Sequence, residues 1–78
     1  MRYRLRVAVT EADLGRRVSV RFRPDDGGFS DVVGVLETCT AEAFGIRDRR
    51  GELRIVERGR VVAARVVAPA GTKERGRD

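Results

Sequence analysis

Asp31–Val67 reads DVVGVLETCTAEAFGIRDRRGELRIVERGRVVAARVV, and this stretch decides the fold. Asp31 to Thr40, Ala43 to Asp48 and Glu52 to Glu57 are apolar runs divided by short turns, and Val61 to Ala68 follows a further turn. Runs of this length, punctuated by glycine, suit a small antiparallel sheet that curls onto itself. The longest run carries β-branched side chains on both faces: Val32, Val33, Val35, Thr38 and Thr40. Gly34 inside it weakens a flat strand but permits the sharp bend a tiny barrel needs. Arg49-Arg50-Gly51 makes a three-residue hairpin whose glycine takes the left-handed position. Glu57-Arg58-Gly59-Arg60 reads as one 3₁₀-like turn before the closing strand. On this pattern Val32, Gly34, Leu36, Phe44, Ile46, Leu53, Ile55 and Val62 are scaffold.

Upstream, Met1 to Val9 alternates, with Met1, Tyr3, Leu5, Val7 and Val9 on one face and Arg2, Arg4, Arg6 and Ala8 on the other. Period two over such a length argues for a strand with one buried face. Thr10-Glu11-Ala12-Asp13 fits a capping pattern, a hydroxyl followed three residues later by a carboxylate, and Gly15 limits it to one helical turn. Arg17 to Arg23 alternates again, Val18, Val20 and Phe22 inward, and Pro24-Asp25-Asp26-Gly27-Gly28 ends it in a turn. Phe29 sits just past those glycines, where a loop aromatic is partly exposed. Downstream, Pro69 stops the last strand, and the polar, aperiodic Ala70–Asp78 is expected to be disordered. The expected fold class is therefore all-β: a five- to six-stranded antiparallel barrel over residues 1–69 with an extra N-terminal strand, one short helical turn and a disordered tail over 70–78.

At 78 residues there is room for one domain that buries roughly 60% of its unfolded surface, enough for a modest core and no sizeable interior pocket. The net charge is +5, which favours anionic partners such as nucleic acid or acidic protein surfaces. Sixteen of the 17 basic residues are arginine, as a GC-rich genome writes them wherever a surface cation is acceptable, so solvation outweighs a phosphate footprint. A single cysteine, Cys39, excludes an internal disulfide framework and fits a reducing compartment. No apolar segment long enough for a signal peptide or a membrane span is present, so no membrane partner is expected and the expected location is the cytoplasm.

From Gly15 to Pro69 the order of elements resembles the small SH3-like and Sm-like β-barrels. The residues that carry this are Gly15-Arg16-Arg17-Val18-Ser19-Val20, the bent Asp31-Val32-Val33-Gly34-Val35-Leu36, the hairpin Phe44-Gly45-Ile46-Arg47-Asp48-Arg49-Arg50-Gly51, and the closing Val61-Val62-Ala63-Ala64-Arg65-Val66-Val67. More narrowly, the pattern is similar to the SH3-like domain at the N-terminus of some actinobacterial GNAT acetyltransferases, where such a barrel ends in a Val-Val-Ala-Ala-Arg run and a proline ahead of the catalytic domain. The resemblance implies an accessory barrel. It does not imply acetyl transfer by these residues, because the Gln/Arg-x-x-Gly-x-Gly/Ala loop that cradles acetyl-CoA is missing from them, and the chain is expected to stand alone or to be cut from a longer relative.

Few residues offer chemistry. There is no histidine, hence no Ser-His or Cys-His pair and no imidazole metal site. Cys39 lies in a strand as a small, buried or half-buried hydrophobe, and Lys73 lies in the expected tail. Asp25 and Asp26 beside glycines read as a turn, not a metal site. No phosphate loop or dinucleotide fingerprint is present, so no cofactor is expected and the chain reads as non-enzymatic. Two classes of binding remain. A protein partner, among them an acetyltransferase domain, would dock on Phe29 and Pro24 of the loop after the second strand, or add a strand at an open barrel edge, where a second copy could also pair. Alternatively Arg2, Arg4 and Arg6 form one outward row and Arg17, Arg21 and Arg23 another, a cationic face if these strands are neighbours. Arg47, Arg49 and Arg50 add a basic hairpin tip, and together these arginines would hold nucleic-acid phosphates with little sequence selectivity. The Asp-x-x-x-Asn base-binding loop of Sm proteins has no counterpart in Glu37–Phe44, which lacks asparagine.

Overall fold

In the computed structural model, which describes residues 6–68, local sequence signals become elements in the expected order. They are β1 (Arg6–Val7), a 3₁₀ turn (Glu11–Asp13), β2 (Arg17–Phe22), β3 (Ser30–Cys39), β4 (Ala43–Asp48), β5 (Leu53–Glu57), a second 3₁₀ turn (Arg58–Arg60) and β6 (Val61–Val66). The first turn is held by a capping box: the Thr10 hydroxyl accepts from the Ala12 N–H at 3.2 Å, and the Asp13 carboxylate accepts from the Thr10 N–H at 2.9 Å. Gly51 closes the β4–β5 hairpin at φ 87°, the left-handed conformation that residues with a Cβ avoid. The segments expected at Met1–Leu5 and in the tail lie outside the described residues.

The sheet runs β1-β6-β2-β3-β4-β5, with every pair from β6 to β5 antiparallel. Ten of the described residues form one core, with Val18, Val20, Leu36, Phe44 and Ile46 fully enclosed. Phe22 and Cys39 are half-buried and pack against it. Gly34 sits where β3 is squeezed between β2 and β4, opposite Val18 on one side and Asp48 on the other. A β-bulge at Glu37 shifts the β3–β4 register between Leu36 and Thr38, adding the local bend that helps the sheet curl.

Two details differ from the sequence reading. Within the described residues the N-terminal strand is only Arg6–Val7, and it runs parallel to β6, Arg6 opposite Ala63 and Val7 opposite Ala64, with the Ala8 N–H donating to the Ala64 carbonyl at 2.8 Å. Val9, just beyond, turns into the core. Second, Leu53 and Ile55 are not scaffold: they are 42% and 61% exposed, and Val56 is the buried residue of β5. The turn decides this phase. Its Asp48–Glu52 closure sets Val56 opposite Phe44 and Ile55 opposite Gly45, and in a strand a one-residue change of phase exchanges the two faces. Val62 is half-buried.

The same hairpin gives the fold a pH dependence. The Asp48 carboxylate accepts from the N–H groups of Glu52 (3.0 Å) and Arg50 (2.9 Å). The bond from Glu52 is the leading cause that holds its carboxyl below the usual value. Arg47, through its hydrogen bonds, does the same for Glu37. Depressed carboxylates stabilise the fold above their unfolded values, near pH 4, and that contribution drains away as pH falls through the lower folded values. Circular dichroism melts are expected to show a falling Tm below about pH 4, with a smaller fall in Asp48→Asn. Identical profiles for the two proteins would remove the assignment.

Candidate functional site

The β2–β3 hairpin fixes the first group. Pairing across it sets Arg21 opposite Asp31, and the side chains meet: Nε donates to Oδ1 at 3.0 Å and Nη2 to Oδ2 at 3.4 Å. That hydrogen bond and the carboxylate's charge raise the pKa of Arg21 further above its ordinary value. The loop between the strands turns at Pro24, whose carbonyl accepts from the Gly27 N–H at 3.1 Å, and continues through Gly27 and Gly28, both at positive φ. This brings Phe29 back over β2, 53% exposed, with the guanidinium carbons of Arg21 and Arg23 at 5.7 and 5.0 Å from its ring centre. Arginine over an aromatic face at this distance is a cation–π contact. Residues expected in two separate sites, Phe29 for protein and Arg21 and Arg23 for phosphate, form one cluster.

The expected cationic face is arranged differently. β6 lies between β1 and β2, so Arg6–Val7 does not pair with the strand of Arg17 and Arg21. Arg2 and Arg4 lie outside the described residues, as does the side chain of Arg6, whose backbone is opposite Ala63. Arg17 is half-buried and forms no ion pair among the described residues. Arg65 of β6, absent from the expected set, stands opposite Ser19 and so lies diagonal to both Arg17 and Arg21 on the same face. Its place was readable from the alternation of the closing strand once β6 is set beside β2.

The hairpin tip divides. Arg47 is committed to the fold: its Nε and Nη2 hold both oxygens of Glu37 at 3.0 and 2.9 Å, and its Nη1 donates to the Gly51 carbonyl at 3.0 Å. Arg49 and Arg50 are exposed and form no ion pair among the described residues. Pro24 is half-buried and lines, with Phe22, Asp25, Ile55, Val56, Glu57 and Arg60, an open groove of about 360 Å³. Its charges answer one another, since Arg60 pairs with Asp25 and with Glu57 and also donates to the Arg23 carbonyl. Arg58, read only as a turn residue, is half-buried, lies 4.5 Å from the Phe44 ring centre, and donates to the Thr40 carbonyl at 2.8 Å and to the Cys39 sulfur at 3.3 Å.

The model of one protein family, the Rv0428c N-terminal Sm-like domain, matches residues 12–65. The chain belongs to this family. No curated protein and no solved structure matches it. The matched span of the Sm-like domain begins inside the first 3₁₀ turn and ends within β6, so it contains the whole β2–β5 meander. The Phe29 cluster and Arg65 fall inside that span, whereas β1 falls outside it. The SH3-like, Sm-like barrel expected from the sequence is thus what both the family and the strand order show.

Proposed function

We propose that this Sm-like domain is a non-catalytic interaction module that docks another protein through Phe29, Arg21 and Arg23, as an accessory barrel attached to an acetyltransferase would. One observation carries the reading: a half-exposed aromatic ring on a glycine-bearing loop, with two guanidinium groups over it. Aromatic residues and arginine are the types that dominate protein-interface energetics, and a ring already held in place loses little freedom on binding. Arg23, without an ion pair among the described residues, favours a partner surface with a carboxylate beside its ring-binding pocket.

A second reading rests on Arg65. With Arg17 and Arg21 it makes a group of three arginines on one face, the last of them over the Phe29 ring, which supports weakly selective binding of single-stranded nucleic acid through phosphates and one stacked base.

Phe29→Ala separates stability from binding. Its melting temperature should match the wild type, because the ring is exposed, while partner capture by the immobilised domain should fall roughly tenfold or more. Undiminished capture would move the docking surface elsewhere. Anisotropy titrations with a labelled single-stranded oligonucleotide decide the second reading: binding that weakens steeply with salt and is lost in Arg17→Ala/Arg65→Ala supports it, and no binding at low salt removes it.

A further inference from the structure

We propose that the domain forms a two-fold dimer by pairing the open edge of β5 with the same edge of a second copy, centred on Leu53. β5 ends the sheet, and among the described residues nothing pairs with its outer side. The hydrogen-bond phase shows which groups point there. The Asp48 N–H donates to the Glu52 carbonyl and the Arg58 N–H to the Glu42 carbonyl, at 2.9 and 2.8 Å. An antiparallel ladder alternates, so Glu52, Arg54, Val56 and Arg58 turn their backbone toward β4, and Leu53, Ile55 and Glu57 turn theirs outward. Such an edge is a template for another strand.

Charge complementarity selects a second copy as the occupant and fixes the register. With the two-fold axis at Leu53, the two Leu53 side chains stack on the outer face. On the other face Glu52 stands opposite Arg54 of the second copy, and Arg54 opposite its Glu52. Both are exposed, and among the described residues Arg54 pairs only with Asp48, at 3.8 Å. Centring on Arg54 would set two guanidinium groups against each other. Centring on Ile55 would press Leu53 against Glu57 and drive the copy toward Pro24, Asp25 and Arg60, which flank that end of the strand. The other end of the sheet is β1, whose described part is two residues, Arg6–Val7, against five in β5, so it offers a shorter template. Head-to-tail assembly needs two different free edges, whereas a two-fold pair uses one edge twice and closes. The contact is short, at the small end of specific interfaces, so the dimer is weak. It leaves the Phe29 cluster free and does not depend on the function proposed above.

Sedimentation equilibrium over a concentration series tests it. The wild type should show a mass rising toward the dimer. Glu52→Arg and Arg54→Glu should each stay monomeric alone, because each sets like charges against each other across the axis. Their equimolar mixture should recover the dimer. In the mixed pair the two substituted side chains, now of opposite charge, face each other on one side of the axis, and the native Arg54 and Glu52 face each other on the other. A wild type that stays monomeric, single variants that associate as it does, or a mixture that recovers nothing would each overturn the proposal. If Arg54→Glu does not fold, Leu53→Glu takes its place; it faces Arg47 in its own chain and must abolish association.

Discussion

Gly34→Val is expected to abolish cooperative folding. Gly34 is not special for its backbone angle, since it is not among the glycines at positive φ. It is special for what stands over it. A Cβ built there collides with the carbonyl oxygen of Arg47, comes within 2.8 Å of that carbonyl carbon and within 3.0 Å of the Asp48 Cα. All three atoms are backbone of β4, so no side-chain rotation relieves the contact. β4 must separate from β3 where Gly34 stands opposite Asp48, and Phe44 and Ile46 go with it. A barrel of this size has of order 3–9 kcal/mol of stability, and overpacking against backbone costs about 3 kcal/mol or more. Gly34→Ala should fold with a sharply lowered Tm. Gly59→Ala is the control, because a Cβ there meets nothing within 4 Å. If Gly34→Val melts like the wild type, the tight β3–β4 approach is wrong.

Phe44→Ala should be nearly as damaging. The ring is fully buried, and it is the largest side chain in the core. Removing it costs about 3–5 kcal/mol in a site that cannot collapse, and here the loss extends further because Arg58 rests on the ring. Ile55→Ser, by contrast, should change stability by no more than about 0.5 kcal/mol, the usual range for an exposed position. Chemical denaturation of the two variants, with Val56→Ser beside them, checks the phase of β5 directly. A large cost at Ile55 and a small one at Val56 would restore the alternation that the sequence suggests.

That phase marks where reading the sequence stops. Strands, hairpins and the capping box are local, and Thr10, Gly34 and Gly51 announced them with little help from the rest of the chain. The bounds of β4 are those expected, Ala43–Asp48. Leu53 and Ile55 look like core residues because alternation puts both on one face and sets Arg54 with Val56 on the other, and only the closure of the preceding turn reverses that choice. The ion pairs are hidden for a related reason. Arg21 with Asp31 and Arg47 with Glu37 each stand ten residues apart, and their meeting depends on registers that a hairpin loop and a bulge define. Of the candidate site, Phe29 was legible from its place after two glycines. Its union with Arg21 and Arg23 was not, because it requires knowing that the loop folds back over β2.

Arg58 has a consequence for how freely the chain can change. It lies across an aromatic ring while reaching a carbonyl and a sulfur on the neighbouring segment, which takes a flat, forked cation. A lysine carries the same charge as a point on a swinging stem and cannot do both at once. Evolutionary drift between the two cations is therefore open at Arg49 and Arg50 and closed at Arg58, although composition counts all three alike.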